Sequence, residues 1–394
     1  MILGAGPSQL PAIRKAVDLG FYVITVGYLP ENVGHKFSHQ YVNCSTIDKA
    51  GVLRAAAELD IDGIVTFASD VATPTVGFVA EQLGLPGGSA SAAEIMSNKA
   101  RFRVHQQEYG LNSPGFVIGQ HLQDIEEQMA TLSPPLMFKP VDTSGSRGVS
   151  RVDQIDHERC AAAFEHAQRY SRSKTVCVEE FLDGIEVGGD GFLVDGRLEL
   201  AVITHKYKRG YVVTGHSLPT NISAEDQERV YAELVANCCA VGYTDGPFNF
   251  DVMVSPERVT VLEMSPRLGG NGIPMIIKRA TGVDLIAATI RFALGEEVRF
   301  LERPKVVRSC GSWVFGSDRA GLIEGIAAKG EVKAAVPEVF DYFVHYQIGD
   351  AVPEFVHSAN SLGYALFDCS PQSSYRGIVN RLQRALRLKV ASPI

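Results

Sequence analysis

Along the first 90 residues, short apolar runs alternate with stretches in which apolar positions recur every three or four residues. Ile2-Leu3 runs into Gly4-Ala5-Gly6, after which Leu10, Ile13, Ala16 and Val17 keep helical spacing up to Gly20. Tyr22–Val26 is a β-rich run, Asp48–Leu59 is helical, Ile61–Phe67 is another strand and Thr73–Leu83 another helix. Single helices between strands predict a small parallel βαβ sheet. Pro86-Gly87-Gly88 breaks this pattern, and Ser91 and Glu94 then stand at capping-box spacing, which predicts one helix running to about Tyr109. From Phe116 to about Leu200 the pattern turns strand-rich, and Val194-Asp195-Gly196-Arg197 between two apolar runs predicts a tight hairpin. Glu225–Cys239 is helical. The charged, proline-containing stretch Gly295–Lys305 reads as a linker into a last region that ends at Ile394. There Tyr375–Leu388 is helical, and Trp313, Phe315, Phe340, Tyr342 and Phe343 read as core.

The most informative stretch is a predicted hairpin, Phe248–Val254 and Val259–Glu263. If Pro256-Glu257-Arg258 is its loop, Asp251 lies opposite Glu263, and period-2 alternation gathers Asn249, Asp251, Glu263, Ser265 and Arg267 on one face. Phe248, Phe250, Val252, Val254, Thr260, Leu262 and Met264 take the other. A four-residue loop would instead put the two acids on opposite faces. On one face, two like charges 4 Å apart repel by roughly 4 kcal/mol at an effective dielectric of 20. A cation, a shared proton or Arg267 must offset this. Mg²⁺ suits a few carboxylates completed by substrate phosphates, and a surface acid pair tied to Arg267 is the bland alternative.

Two further stretches carry candidate chemistry. Lys139 ends an apolar strand and opens the small, glycine-spaced loop Pro140–Val149. Its backbone N–H groups would wrap a polyphosphate, with Lys139 and Arg147 supplying charge, or the stretch is only a hairpin loop. No Gly-Lys-Ser/Thr closes it, so it is not a Walker A sequence. The run Val176–Phe181 carries Glu179 and Glu180 into an extended segment that would offer backbone groups to a base edge, with Glu186 available for ribose hydroxyls. Gly4–Gln9 invites a dinucleotide reading, but Gln9 stands where a third glycine belongs and the second strand ends at Gly27 rather than at an acid, so a tight scaffold turn is the better explanation.

Composition narrows the classes. Of 394 residues 45% are hydrophobic and 21% charged, ordinary for a globular chain of two or three domains. Thirty-seven basic against 45 acidic residues give a net charge of −8, which argues against a general nucleic-acid or anionic-membrane binder. Seven cysteines without a CxxC spacing read as thiols of a reducing compartment. With no apolar stretch of transmembrane length and no signal-peptide pattern, a cytoplasmic protein is expected.

Taken in order, these residues resemble the ATP-grasp superfamily, and the resemblance covers nearly the whole chain. It implies a Rossmann-like βαβ domain over 1–90, an ATP-grasp domain of two α+β subdomains over 91–295 with a lid at about 115–185, and a small C-terminal lobe over 296–394. It implies ATP and Mg²⁺ as cofactors, with Mn²⁺ as an alternative ion. Lys99 and Lys139 would neutralise phosphates, and Ser144, Gly145, Ser146, Gly148 and Val149 would close over them. Glu179, Glu180 and the backbone of Phe181 and Leu182 would hold adenine, and Glu186 the ribose. Asp251 and Glu263 would bind the metal. Where the family often has an Asn two residues beyond its last metal Glu, this chain has Ser265, and Asn249 would supply that oxygen.

The run Glu263–Asn271, with Arg267-Leu268-Gly269-Gly270, and Gly215-His216-Ser217-Leu218-Pro219 are similar to segments of L-amino-acid ligases. That likeness implies a carboxylate–amine ligase acting on small molecules, amino acids expected first, through an acyl phosphate, with Arg267 clamping a substrate carboxylate or the acyl phosphate and His216 as a substrate contact or a structural residue. No Ser, Cys or His nucleophile is needed. A dimer is expected from the resemblance alone. The competing expectations are a purine-pathway ATP-grasp carboxylase or synthetase, and a nucleotide-binding module without catalysis.

Overall fold

The computed structural model describes residues 1–300 and 304–391. The expected linker at 295–305 and the chain end at Ile394 therefore fall partly outside the described residues. The chain divides into two compact units, one of Met1–Ala201, Ile222–Gly269 and Leu285–Arg303, the other of Val202–Asn221, Gly270–Asp284 and Pro304–Ile394.

The first unit begins as the periodicity predicts. Strands β1 (Ile2–Leu3), β2 (Ile24–Gly27), β3 (Gln40–Asn43) and β4 (Val65–Thr66) form a parallel sheet in the order β3-β2-β1-β4. Helices α1 (Leu10–Asp18), α2 (Lys49–Glu58) and α3 (Thr73–Leu83) connect or flank them. Leu3, Val26, Val52, Ala56, Ile64 and Val79 close its core. The polar strand β3, whose side chains are half-buried or exposed, escaped the apolar pattern. Gln9 donates from Nε2 to the Phe67 carbonyl at 2.6 Å, so the residue replacing the third glycine ties the first turn to the end of β4. That contact favours the scaffold reading of Gly4–Gln9.

The single helix expected over 91–109 is two. Ser89, rather than Ser91, caps α4 (Ala90–Met96), accepting from the Ala92 N–H at 3.3 Å. Asn98 then restarts the chain as the N-cap of α5 (Lys99–Glu108), accepting from the Arg101 N–H at 3.1 Å. Glu94 pairs with Lys49 and Arg101 instead of closing a capping box.

Beyond it lie β5 (Phe116–Gly119), α6 (Glu126–Met129), β6 (Leu136–Pro140), β7 (Ser150–Val152), α7 (His157–Tyr170) and β8 (Val176–Glu180). The strands make an antiparallel sheet in the order β5-β8-β6-β7. Helix α7 corrects the strand-rich reading of 116–200. Asp156 caps it, and Cys160, Ala163, Phe164 and Ala167 give it a buried face at helical spacing.

Next come β9 (Ile185–Val194), β10 (Arg197–Arg209), β11 (Val212–Leu218), α8 (Ala224–Val241), β12 (Gly246–Val254) and β13 (Val259–Ser265). Asp195 and Gly196, at φ of 50° and 73°, make the two-residue turn predicted between β9 and β10. In the first unit β13, β12, β9 and the start of β10 are successive neighbours.

In the second unit the end of β10 is followed by β11, β14 (Cys310–Phe315), β16 (Gly363–Asp368) and β15 (Val339–Val344), all antiparallel. Trp313, Phe315 and Tyr342 are core there, packed with Ile378 and Leu382 of a helix at Tyr375–Leu386. Phe340 and Phe343 are only half-buried, and the cations of Arg279 and Lys329 lie over their rings at 5.0 and 5.7 Å. All seven cysteines are free thiols, with Cys160, Cys177, Cys238 and Cys310 buried. No helix among the described residues is long and apolar enough to cross a membrane.

Candidate active site

The β12–β13 hairpin brings the two acids together by a route the sequence did not suggest. Val254 pairs with Val259, so the loop is the four residues Ser255–Arg258 rather than three. Regular pairing from that loop would set Asp251 against Leu262 and turn Glu263 to the opposite face. Instead the register shifts between Asp251 and Val252. Val252 pairs with Val261, but Asp251 pairs with Glu263 and Asn249 with Ser265, leaving Leu262 as the extra residue of a β-bulge. Strand β9 supplies the next row, with Asp190 beside Asn249 and Gly188 beside Asp251.

One lysine reaches this face, and a second lies one carboxylate further on. Lys99, first residue of α5, donates from Nζ to Glu263 Oε1 at 3.0 Å and to the Thr143 carbonyl at 2.7 Å. Burial alone would lower its pKa, but the carboxylates of Glu263, Asp70 and Glu179 hold it above the ordinary value. Lys99 thus offsets the like charges of the acid pair. Lys139, at the end of β6, pairs with Glu179 Oε2, while Glu179 Oε1 accepts from Arg103 Nε at 2.9 Å. Glu179 and Arg103 are each 1% exposed. Burial works to raise the pKa of Glu179, yet Arg103 and Lys139 bring it down from 4.5 to about 2.

That shift carries a stability prediction. A depressed carboxylate contributes fully above its ordinary pKa and loses the contribution as pH falls towards its folded value. Urea midpoints of the wild type should therefore exceed those of Glu179→Gln by the equivalent of about 3–5 kcal/mol at pH 7. The gap should narrow between pH 4.5 and about 2. A gap independent of pH would refute the pairing.

The predicted phosphate loop is coiled by three residues at positive φ, Gly145, Ser146 and Gly148. Arg147 Nε donates back to the Ser144 carbonyl at 3.1 Å. Asp142 anchors the loop by accepting from the N–H groups of Arg172 and Ser173 at 3.1 and 2.8 Å.

The expected adenine edge is partly committed elsewhere. Both oxygens of Glu179 are taken by cations. Glu180 accepts from the N–H groups of Ser133 at 2.7 Å and Gly115 at 3.3 Å. The Phe181 N–H donates to the Pro135 carbonyl at 2.8 Å, and the Arg151 guanidinium lies 4.4 Å over the Phe181 ring. Leu182 is buried, and Glu186 is half-exposed at the start of β9.

Arg267 is buried, with Nε donating to Asp70 Oδ1 at 2.8 Å, Nη2 pairing with the same oxygen and Nη1 donating to the Leu268 carbonyl at 3.1 Å. Burial opposes ionisation of Asp70, but Arg267, with Ser265 and Lys99, holds its pKa below the ordinary value. Asp190 is fully buried. Its Oδ1 accepts from Asn249 Nδ2 at 3.0 Å and the Gly269 N–H at 2.7 Å, and burial raises its pKa to about 7. Asn249 Nδ2 also donates to the Gly189 carbonyl at 2.7 Å, so two acceptors fix its amide with the carbonyl oxygen turned away from them. His216 lies in the second unit, 2% exposed, its Nδ1 in a hydrogen bond with Thr204 Oγ1 at 2.9 Å.

Among the described residues no three His, Cys, Asp or Glu side chains converge as a complete metal cage. Two carboxylates on one face beside an amide oxygen are a partial donor set, which suits a hard cation completed by phosphate oxygens. Sequence reasoning missed Arg103, Asp70 and Asp190. Arg103 stands four residues after Lys99, the spacing that puts both on one helical face. Asp70 lies 197 residues from its partner Arg267, so no local pattern joins them.

Residues 132–275 match the ATP-grasp domain family. The chain is 28% identical over 337 residues to an uncharacterized protein, y4rH, of Sinorhizobium fredii, a match covering 83% of this chain and 68% of that protein. It is 24% identical over 276 residues to human carnosine synthase 1, covering 64% of this chain but only 33% of that larger protein. The fold matches the crystal structure of L-amino acid ligase from Bacillus licheniformis with a TM-score of 0.83 at 24% identity, over 99% of this chain and 98% of that one.

Proposed function

The chain belongs to the ATP-grasp superfamily, and from that premise we propose that it joins the carboxylate of one amino acid to the amine of another, consuming ATP through an acyl phosphate. The observation that carries this reading is the row of Asp251, Glu263 and Lys99, since holding adenine alone requires none of them. The family uses ATP with Mg²⁺. Asp251, Glu263 and the Asn249 oxygen would hold the ion, which supplies positive charge against the triphosphate.

A carboxylate is a poor electrophile, and phosphorylation gives it a leaving group. The chain's work is alignment and charge placement. Lys99 and Lys139, both now on carboxylates, are positioned to exchange those partners for phosphate oxygens. Glu179 then acts on the nucleotide through Lys139 rather than by touching adenine. The loop Ser144–Val149 would cover the phosphates and keep water from the acyl phosphate. Arg267, held in place by Asp70, would meet the substrate carboxylate with its remaining donors. The likeness to L-amino acid ligase and carnosine synthase supports amino acids as the substrate class.

The test is phosphate release from ATP and Mg²⁺ over a panel of single and paired amino acids, with mass spectrometry of the products. Phosphate release that requires a carboxylate, with a new amide mass, is the expected result. Turnover only with an aminoimidazole ribotide would replace this reading with the purine-pathway one. ATP binding with no turnover on any substrate would replace it with a nucleotide-binding module.

A further inference from the structure

The bulge in β13 raises a question of what holds it. β13 is the edge strand of its sheet, so regular pairing with β12 would engage only one of the Val261 and Leu262 carbonyls, and an extra residue disrupts the ladder at that point. Helix α5 supplies the answer from one side chain. Arg103 donates from Nη2 to the Leu262 carbonyl at 2.7 Å and from Nη1 to the Val261 carbonyl at 3.3 Å. Gln106, itself accepting from Arg103 Nη1 at 2.7 Å, adds a bond from Nε2 to Val261 O at 3.0 Å. The Nε of the same guanidinium reaches Glu179, the partner of Lys139.

We infer that Arg103 is a positioning residue for metal binding: by collecting the carbonyls of the bulge, it sets the register that places Glu263 beside Asp251. The inference rests on the reading of those two acids as metal ligands. A guanidinium is an expensive way to fill a core, because a well-packed apolar side chain stabilises as much or more. An apolar side chain does not supply rigid, coplanar N–H groups aimed at two successive carbonyls and a carboxylate. Arg103 is 1% exposed and leads the fully buried side chains in size, yet its charge is placed one bond from the metal hairpin and two from Lys139. Lysine at this position carries the charge on a single point and cannot span the three acceptors.

The test measures Mn²⁺ binding by electron paramagnetic resonance on the full chain saturated with a non-hydrolysable ATP analogue. Arg103→Lys and Arg103→Met are expected to weaken Mn²⁺ binding tenfold or more. Deleting Leu262 in the Arg103→Met background removes the extra residue, so regular pairing again sets Asp251 against Glu263, and Mn²⁺ affinity should recover to within threefold of wild type. A purely structural role for Arg103 predicts no such recovery. If Arg103→Met does not fold, Arg103→Lys carries the test. Wild-type Mn²⁺ affinity in a folded Arg103 variant overturns the inference, as does a folded double variant that does not recover. Failure of the underlying reading looks different: Asp251→Asn and Glu263→Gln would then bind Mn²⁺ as tightly as wild type.

Discussion

Glu263→Gln is expected to lower ATP-driven turnover about a hundredfold or more, roughly 3 kcal/mol of transition-state stabilisation, while leaving the fold intact. The substitution keeps the side chain's size and an oxygen that can still accept from Lys99 Nζ, now at 3.0 Å. It also removes one of two like charges that face each other across the hairpin, a repulsion of roughly 4 kcal/mol at 4 Å and an effective dielectric of 20. Stability should therefore stay within about 1 kcal/mol of wild type, with the lost ion pair and the relieved repulsion offsetting. What it removes is one of the two carboxylates proposed to hold the ion. A Mg²⁺ titration of phosphate release, beside urea midpoints, separates the two effects. Turnover within about fivefold of wild type at saturating Mg²⁺ would show that Glu263 is no metal ligand.

Which parts of this site were legible beforehand depends on how far apart its interacting residues are. The parallel domain and the Asp195-Gly196 turn follow from local periodicity and turn chemistry, and the structure has both. Helix α7 was equally local, with Cys160, Ala163, Phe164 and Ala167 on one face. The strong β-runs on either side outweighed it. The split between α4 and α5 hinged on Asn98, whose capping bond to Arg101 competes with helix continuation.

The hairpin is more instructive. Alternation identified the residues of the acidic face, but from a loop length the structure does not have. The bulge that restores the face is held by Arg103, more than 150 residues earlier in the chain. Register is a property of the strand and of what packs on it, so a strand read by itself does not reveal a bulge held from another element. The same limit hid Asp190. It lies in a run of glycine and apolar residues, and only the neighbouring strand reveals that it orients Asn249.

Asp70→Asn is expected to destabilise the chain by about 3–5 kcal/mol, because it leaves the buried guanidinium of Arg267 without a counter-charge. The two side chains are 11% and 10% exposed, so solvent offers little compensation. Removing both charges should cost less than removing one, and Asp70→Asn/Arg267→Met is expected to regain most of the loss in a double-mutant cycle of urea midpoints. The pH dependence has a definite sign. Asp70 is held below its ordinary pKa by Arg267, so its contribution is complete above the usual carboxylate range and fades as pH falls through the folded value. The deficit of Asp70→Asn should accordingly shrink on acidification. Activity distinguishes positioning from stability alone. If Asp70 holds Arg267 for a substrate carboxylate, the folded fraction of Asp70→Asn should show a raised KM for the acid substrate with the KM for ATP unchanged. A loss below 1 kcal/mol at neutral pH would mean that Arg267 does not depend on Asp70. Arg267 would then be free to turn towards substrate by itself.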